Sequence, residues 1–418
     1  MTGKKTLAID FGSSNSAAGV MMNGKPYLSA VEPGKTTMPT SIFFDFEAQN
    51  TLFGSPANAA LIQGEEGRFM RALKSVLGTS LMHEKRRMMG QSITFVDIIS
   101  TFLKEIKTRA ETACSQDFDT ALSGRPVFFH SSDDVKNKQA IADLTECYLK
   151  AGFKDVDFMY EPEAAALANH RLGDENSLQL IVDIGGGTSD FCLFKSQGQG
   201  IDSLASNGIR LGGTNFDKSI SVDYVMPLLG KGSMIKNALG DGVLSAPNAI
   251  FQDLATWEKI PFMYSSETRN SVANMRQQAE DKYLFARLEE VLEHELAHEM
   301  AFAVESGKIS LNEAISGDTK VDLRFVEPDL TAQFSNIDME HSLSGHTEGI
   351  KNCALQTLAM AGVSSANIDT VIFVGGSSLM SVVENAMIDI FPTAKQYHSE
   401  AFTAIVDGLA IAASRPDR

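Results

Sequence analysis

Two separate segments of this chain carry the same pattern, and that repetition limits the folds the chain can adopt. Residues 7–16 and residues 180–190 each contain a short apolar run, an Asp (Asp10 or Asp183) and a turn rich in glycine and hydroxyl side chains, and a second apolar run follows each of them at residues 17–22 and 191–194. Apolar runs of this length between turn residues predict buried strands. Each segment therefore predicts a β-hairpin, and the repetition predicts two similar lobes.

The turns of these hairpins have the chemistry of an anion site. Glycine lets the backbone turn tightly and approach a ligand, and successive backbone N–H groups form a concavity that binds anions. The Asp at each strand end supplies the hard oxygen ligands that Mg²⁺ and its waters prefer. Two such hairpins facing each other would hold the phosphates of a nucleotide from both sides.

Length, charge and cysteine content narrow the class of protein. A chain of 418 residues suggests two or three domains. The net charge of −17 argues against a nucleic-acid partner, which needs clustered Lys and Arg. The four cysteines form no CxxC pair and indicate reduced thiols. The sequence shows neither a signal-peptide core nor an apolar stretch of about 20 residues. We therefore expect a cytoplasmic protein with no membrane partner.

Apolar patterns that favour strands alternate with patterns that favour helices along the chain, which predicts the α/β class. The spacing predicts a mostly helical region over residues 225–312, with one long helix over 281–306. Further predicted helices cover residues 97–114, 136–150, 345–361 and 402–413, and Pro162 marks the start of another. Predicted strands include residues 126–129, 156–160, 321–326 and 371–374.

Five motifs, in order along the chain, resemble the nucleotide-binding domain of DnaK-type chaperones. These chaperones form the 70-kDa heat-shock family within the actin-like ATPase superfamily. The motifs are two phosphate loops (residues 9–14 and 183–190), a segment linking the lobes (161–166), a Gly-Gly-x-x-Phe-Asp turn (211–217) and an adenosine turn (374–378). One glycine-rich loop would carry little weight, whereas five motifs in the right order are specific. Short DnaK relatives of the YegD type are the branch that the sequence most resembles.

The resemblance implies an actin-like ATPase fold, a duplicated ribonuclease H-like architecture of two α/β lobes with a nucleotide cleft. Lobe I would comprise residues 1–172 plus 397–418, with the first phosphate loop and the catalytic Lys. Lobe II would comprise residues 173–396, with the second phosphate loop, the adenosine site and a helical outer subdomain at about residues 225–312.

The resemblance also assigns residues that would bind ATP or ADP, Mg²⁺ and, as a further candidate, K⁺. Lys74 would stabilise charge on the transferring phosphate, and Asp183 would orient the attacking water. The implied catalytic residues are Lys74, Asp183, Glu161 and Asp10, and the implied metal-binding residues are Asp10, Asp183 and Asp190. The implied nucleotide-binding residues are Gly12, Ser13, Ser14, Gly185, Gly186, Gly187, Thr188, Gly212, Gly213, Thr214, Glu305, Lys308, Gly375, Gly376 and Ser377.

Four features depart from the family. The first phosphate loop reads Ser-Ser-Asn at residues 13–15, where many members carry Thr-Thr-Tyr. His130 stands where chaperone members carry a Pro, in a segment thought to relay the nucleotide state. Leu379 stands where they carry an Arg that stacks on adenine, so the cation–π contribution would be lost. The sequence ends at Arg418, so we expect neither the interdomain linker nor the peptide-binding domain. These departures leave open a pseudo-ATPase that binds nucleotide without hydrolysing it.

The first functional hypothesis is a slow, Mg²⁺-dependent ATPase whose nucleotide state controls a protein partner. An actin-like filament-forming ATPase is an alternative, and it predicts nucleotide-dependent sedimentation. A small-molecule kinase of the same superfamily would need a catalytic Asp facing an open substrate pocket, and the sequence has no sugar-kinase signature.

One motif indicates a different class of protein. Residues 294–298 fit H-E-x-x-H, in which two histidines on one helical face bind zinc and the Glu acts as a base. Glu313 and Glu327 are conceivable third ligands. Because short motifs arise by chance, we interpret His294 and His298 as surface residues near the outer edge of the cleft, on the helix that carries Glu305 and Lys308.

Overall fold

The chain forms two compact units, and each is described by itself. The computed structural model describes residues 5–131, 133–170, 172, 177–198, 200–236, 242–314, 317–399 and 403–415. The core unit comprises Met1–Gly213 and Thr347–Arg418, and the helical unit comprises Thr214–His346. The lobe boundaries expected from the sequence stay a prediction.

The core unit is built on two larger sheets and two small ones. The strands are β1 Thr6–Phe11, β2 Asn15–Met22, β3 Lys25–Leu28, β4 Thr37–Pro39, β5 Ser41–Asp45, β6 Asn50–Phe53, β7 Gly67–Arg71, β8 Arg86–Met88, β9 Gln91–Ile93, β10 Thr120–Arg125, β11 Asp155–Tyr160, β12 Leu178–Ile184, β13 Ser189–Gln197, β14 Gly200–Ile209, β19 Thr370–Val374 and β20 Lys395–His398. The first larger sheet has the order β11-β10-β1-β2-β3, with β4 on β2, and the second has the order β14-β13-β12-β19-β20. The small sheets are β6-β5-β7 and β8-β9.

The two larger sheets have the same strand order. In the first sheet, β1 pairs antiparallel with β2 and parallel with β10. In the second sheet, β12 pairs antiparallel with β13 and parallel with β19. Most residues of β1 and β12 are buried, as expected for central strands covered on both faces. The sequence repeat therefore corresponds to a duplicated sheet, and both predicted hairpins are confirmed.

Helices cover these sheets. They are α1 Ser55–Ile62, α2 Phe95–Cys114, α3 Asp134–Lys150, α4 Glu161–Asn169, α12 Ser381–Ile390 and α13 Ala404–Ala413, while α5 Gly213–Ile220 and α11 Asn336–Met360 contain the residues at which the two units join in sequence. Helix α2 begins with a capping box, because Thr94 accepts from the Asp97 N–H and the Asp97 side chain accepts from the Thr94 N–H. Its buried stripe includes Ile98, Phe102 and Ile106, which agrees with the helix predicted over residues 97–114.

Helices α4 and α13 approach each other closely. A side chain at Gly408 would collide with the backbone of Ala164, so the contact requires a glycine. Pro162 lies in the first turn of α4, where a proline costs the helix no hydrogen bond. This packing fixes the position of Glu161, the first residue of α4.

The helical unit contains the remaining elements. They are β15 Met234–Lys236, β16 Val243–Ser245, α6 Asn248–Leu254, α7 Ile260–Met263, α8 Ser266–Gln278, α9 Lys282–Glu293, α10 Ala297–Glu313, β17 Asp318–Asp322 and β18 Thr331–Ser335. The prediction of a mostly helical region over residues 225–312 is confirmed. Within the part of the chain that the structure describes, no helix combines the length and apolar character needed to cross a membrane.

Four element predictions need correction. The strand predicted over 126–129 lies at β10 instead, and it ends before Pro126, which has no N–H to continue a ladder. The strand predicted over 321–326 is β17, which ends at Asp322. The helix predicted to begin at residue 345 begins at Asn336. The long helix predicted over 281–306 breaks between α9 and α10, because Glu295 has a φ of 55°. Of the helix predicted over 402–413, residue 402 lies outside the described residues.

Candidate functional site

The two predicted phosphate loops lie against each other in the core unit. Gly12 to Ser14 connect β1 with β2, and Gly185 to Thr188 connect β12 with β13. A Cβ atom at Gly187 would lie 2.8 Å from Ser13 Oγ, and one at Gly186 would collide with Ser14 Oγ. The glycines of one turn therefore leave room for the hydroxyl groups of the other.

The predicted Gly212–Gly213 turn belongs to the same cluster. Gly213 N donates to Gly185 O at 2.9 Å, and Gly185 N donates to Thr188 O at 3.0 Å. A Cβ atom at Gly212 would lie 2.7 Å from both Gly185 O and Gly187 N. Close backbone contact therefore explains why this turn lacks side chains.

The predicted adenosine turn begins beside the end of β12. Gly375 follows β19, whose Val374 is in register with Asp183 on β12. The φ of Gly375 is 82°, and a Cβ atom there would lie 2.8 Å from Asp183 Oδ1. Gly376 and Ser377 follow in a 3₁₀ turn, Gly376–Leu379. The parallel strand pair thus brings a third glycine-rich turn to the carboxylate of Asp183.

A buried ion pair lies in the same unit. Lys74 Nζ is 2.5 Å from Glu161 Oε1, and the two residues are 7% and 5% exposed. Lys74 is in a 3₁₀ turn, Leu73–Val76, that follows Ala72. Glu161 is placed by the start of α4 at the end of β11. The structure therefore brings together two of the residues that the sequence predicts to be catalytic.

Three aspartates interact electrostatically with this ion pair. Burial, then repulsion from Glu161, raises the pKa of Asp10 to about 7, although Lys74 partly opposes the rise. The same two causes raise the pKa of Asp190 to about 7 and the pKa of Asp183 well above its ordinary value. Burial works against charge on Lys74, but Glu161 and the aspartates outweigh it and raise the Lys74 pKa. Four carboxyl groups thus share one ammonium group, and the site favours an additional cation.

The arrangement of these carboxyl groups fits a hydrated cation. Asp190 Oδ1 accepts from Val127 N at 2.7 Å, whereas Asp190 Oδ2 is buried without a hydrogen-bond partner. Within the described ranges, no three His, Cys, Asp or Glu side chains converge as a direct ligand set for a metal. Mg²⁺ in proteins usually keeps several of its waters. The unpartnered oxygen of Asp190 and the surplus of carboxyl groups therefore fit a cation that is held through its waters.

Three predicted nucleotide-binding residues lie in the helical unit. Thr214 is in α5, and Glu305 and Lys308 are in α10. Lys308 Nζ lies 2.7 Å from Asp217 Oδ1, and both residues are buried. The prediction placed Glu305 and Lys308 three residues apart on one helix, which is what α10 shows. Their predicted contact with adenosine stays a prediction.

The H-E-x-x-H motif does not form the helix that zinc binding requires. His294 follows the end of α9, and the φ of 55° at Glu295 interrupts the helix before α10 begins at Ala297. His294 is exposed beside Glu290, whereas His298 is 4% exposed and its ring lies 6.2 Å from that of Trp257. The expectation that both histidines are surface residues on one helix is therefore wrong. Glu327 is paired with Arg287, and the Glu313 side chain lies outside the described residues.

Two groups near the site were missed by sequence reasoning. The Val127 N–H fixes Asp190, and Arg210 contacts the loop that carries His130. A backbone N–H carries no sequence signal. Arg210 directly precedes the motif at 211–217, so only its position beside that motif could have indicated a role.

This chain has two sheets of the same strand order, glycine-rich hairpin turns that pack together, and acidic residues at the strand ends. These features define the actin-like ATPase class of folds. The family model described as Hsp70 protein matches residues 6–239. The chain therefore belongs to the Hsp70 family, and the predicted resemblance to its DnaK-type nucleotide-binding domain is confirmed. The similarity to YegD-type relatives stays a prediction.

Curated relatives agree with this assignment. The chain is 26% identical over 394 residues to the chaperone protein DnaK of Endomicrobium trichonymphae, covering 91% of this chain and 52% of that protein. It is 30% identical over 237 residues to DnaK of Nitrosopumilus maritimus, covering 53% of this chain and 34% of the relative. It is also 30% identical over 224 residues to the chaperone protein DnaK of Methanothermobacter thermautotrophicus, covering 52% of this chain and 35% of that relative. The chain thus spans about half of the first relative's length and about a third of the length of each of the other two.

Proposed function

We propose that this protein binds ATP with Mg²⁺ and hydrolyses it slowly, and that the bound nucleotide controls its affinity for a protein partner. The observation that carries the proposal is the buried Lys74–Glu161 pair beside three aspartates whose pKa values are raised. Phosphoryl transfer needs mainly positioning and charge neutralisation, and this cluster supplies groups for both.

The first contribution of the chain is phosphate binding. Backbone N–H groups of the turns at Gly12–Ser14 and Gly186–Thr188 would donate to the phosphate oxygens, as would the hydroxyl groups of Ser13 and Thr188. Gly186 and Gly187 permit that approach because they carry no side chains. The packed turns would thereby hold the phosphate chain in one orientation.

The second contribution is charge. The Lys74 ammonium group would stabilise charge on the transferring phosphate, and Glu161 would keep that ammonium charged and in place. Asp183 would accept a hydrogen bond from the attacking water and orient it. Mg²⁺, when bound, neutralises charge on the phosphates, and the residues that would hold its waters are Asp10, Asp183 and Asp190.

The role of a protein partner rests on the relatives. Each is named a chaperone protein, and we extend to this chain only a change of partner affinity with nucleotide state. Limited proteolysis with ADP and with ATP tests that change in the chain alone. Different cleavage patterns would support two nucleotide-dependent states, whereas identical patterns would contradict them.

Single-turnover hydrolysis of Mg·ATP tests the catalytic assignment. We expect slow turnover in the wild type and in the surface control Lys138→Ala, and its loss in Lys74→Ala and Asp10→Asn. Turnover should also stop when EDTA removes Mg²⁺ and return when Mg²⁺ is restored. Tight nucleotide binding without turnover would instead indicate a pseudo-ATPase, and absence of binding would refute the proposal.

A further inference from the structure

His130 is a buried histidine whose two ring nitrogens both have partners. Nε2 lies 2.8 Å from Leu77 O, and Nδ1 lies 2.8 Å from Arg210 Nη1. A guanidinium group can only donate, so Nδ1 must accept. The hydrogen therefore resides on Nε2, which donates to the Leu77 carbonyl. The surroundings of His130 thus specify a neutral ring with a single tautomer.

Arg210 makes three hydrogen bonds, to His130, to Ser131 and to the turn that carries Lys74. Its Nη2 donates to Ser75 O at 2.8 Å, in addition to the bond from Nη1 to His130. Its backbone N donates to Ser131 Oγ at 2.5 Å, next to His130 in sequence. His130 and Arg210 therefore form a connected pair, which we call the His130–Arg210 pair.

The pair holds the short turn that carries Lys74. The carbonyl groups that accept from it, Ser75 O and Leu77 O, flank the end of the 3₁₀ turn Leu73–Val76. Within this turn the hydrogen bond from Leu77 N to Lys74 O is long, at 3.4 Å, and Ala72 before it has a φ of 57°. Ser75 supports the turn from within, because its N–H and its hydroxyl group donate to Ala72 O at 2.9 and 2.7 Å. The bonds that the pair donates to Ser75 O and Leu77 O hold the same turn from outside.

The other end of the pair joins the second phosphate loop. Arg210 follows β14 and directly precedes the turn whose Gly213 donates to Gly185 O. Gly208, two residues earlier, lies directly against the Asp190 carboxylate, where a side chain would collide. The pair thus connects the turn of Lys74 with the loops that surround the phosphate site.

We propose that His130 and Arg210 are positioning residues that hold Lys74 in register with the second phosphate loop. The proposal rests on the proposed function, because it names what places the group that would stabilise the transferring phosphate. Neither residue need touch the nucleotide. Their loss should therefore lower the rate of the chemical step far more than the affinity for ATP.

The pair also makes hydrolysis sensitive to acid. A protonated Nδ1 could not accept from Arg210, and it would bring a second positive charge beside the guanidinium group. Burial lowers the His130 pKa, and Arg210 and Lys136 lower it further, whereas the Leu77 carbonyl and Asp133 favour the charged form. A further acidic group in this region is Asp143, whose carboxylate accepts from the N–H of Gly78, the residue after Leu77. His130 is therefore neutral at pH 7.5, and the pair is lost as the pH falls below the ordinary histidine value of about 6.5.

The first experiment separates rate from affinity. Single-turnover hydrolysis and ATP binding are measured for His130→Ala, His130→Gln and Arg210→Lys, with the exposed controls His341→Gln and Arg87→Ala. We expect the rate to fall about 10- to 100-fold in His130→Ala, since displacement of a catalytic group by about 1 Å costs that much. The affinity for ATP should change less than about threefold, as expected for a group that acts on the transition state.

The conservative variants keep the test valid if His130→Ala is poorly folded. His130→Gln retains one acceptor and one donor, so it should recover part of the rate. Its rate should also decline less between pH 7 and pH 5.5 than that of the wild type, and the decline that remains comes from Asp10 and Asp190, whose pKa values are about 7 in both proteins. Arg210→Lys keeps the charge but loses the fork that reaches Nδ1 and Ser75 O together, so its rate should be intermediate. Equal rates in all variants, or a loss of ATP affinity with the rate retained, would overturn the proposal.

Hydrogen exchange distinguishes this proposal from the proposed function. In His130→Ala, amides of residues 73–78 and 210–213 should exchange faster than in the wild type, whether or not the protein hydrolyses ATP. A wild type without turnover would refute the proposed function while this readout still tests the contact. Unchanged exchange over both segments would refute the positioning role.

Discussion

Lys74 Nζ and Glu161 Oε1 form an ion pair that is almost completely removed from water, at a separation of 2.5 Å. Lys74 comes from the 3₁₀ turn that follows β7, and Glu161 is the first residue of α4. Removing one partner of a buried pair leaves an uncompensated charge, whereas removing both charges together costs less. A variant that lacks both charges should therefore lose less stability than one that lacks only one of them. This difference distinguishes the structural role of the pair from its proposed catalytic role.

Lys74→Ala should destabilise the protein as well as stop hydrolysis. Because Glu161 would be left buried without its partner, the free energy of unfolding should fall by about 3–5 kcal/mol. The double variant Lys74→Met/Glu161→Gln should recover most of that stability and still lack turnover. Urea unfolding and single-turnover assays measure the two effects. Equal stability of the wild type and Lys74→Ala would show that the pair contributes nothing to folding.

The acidic cluster should make the nucleotide-free protein less stable as the pH rises. The pKa of Asp190 is raised from 3.8 to about 7, so the folded state binds more protons than the unfolded state between these values. The stabilisation that Asp190 contributes is therefore complete below about pH 4 and is lost as the pH rises toward 7. For Asp190 the loss amounts to about 4 kcal/mol at most.

Asp190→Asn tests this effect. Its unfolding free energy without ligand should exceed that of the wild type at pH 8, and the difference should shrink as the pH is lowered to 5. The exposed Asp157→Asn serves as the matched control and should follow the wild type. Mg²⁺ should reduce the pH dependence of the wild type, because a bound cation offsets the repulsion. A variant less stable than the wild type at pH 8 would contradict the assignment.

The fold was largely predictable because its main signals are local. The apolar runs around Asp10 and Asp183 specify strands, and the glycine turns between them specify hairpins, which the structure confirms. Errors arose where a single backbone conformation decides the outcome. The positive φ of Glu295 divides a region whose apolar spacing is helical throughout, and Pro126 ends a strand that the apolar residues after it favoured.

The candidate site was less predictable from the residues alone. Family resemblance placed Lys74 and Glu161, which are 87 positions apart, in one site, whereas periodicity could not. The contact between His130 and Arg210 joins residues 80 positions apart and follows only from the packing of β14 beside the loop after β10. Such a contact depends on tertiary structure. From the sequence, His130 could therefore be identified only as a departure from the family.

Thiol reactivity provides an independent check on the packing. Burial raises the pKa values of Cys147, Cys192 and Cys353 to about 12, and all three thiols are buried. Cys114 is partly exposed. Because the thiolate is the reactive form, one thiol should react rapidly with Ellman's reagent in the native protein at pH 8, and all four in 6 M guanidinium. Cys114→Ser should remove the rapid phase, and a rapid phase that persists in this variant would contradict the packing.

The contact between α4 and α13 should tolerate no side chain at Gly408. An alanine Cβ there would collide with the Ala164 carbonyl, so the helices must separate and shift Glu161, at a cost of about 1–3 kcal/mol or more. Gly345 is the matched control, because it lies exposed within α11 and a Cβ there meets no atom within 4 Å. Gly345→Ala should instead raise stability by up to about 1 kcal/mol, since alanine favours a helix over glycine. Thermal unfolding measures both changes. A melting temperature of Gly408→Ala at or above the wild type would show that α13 does not fix the start of α4, and so does not place Glu161 against Lys74.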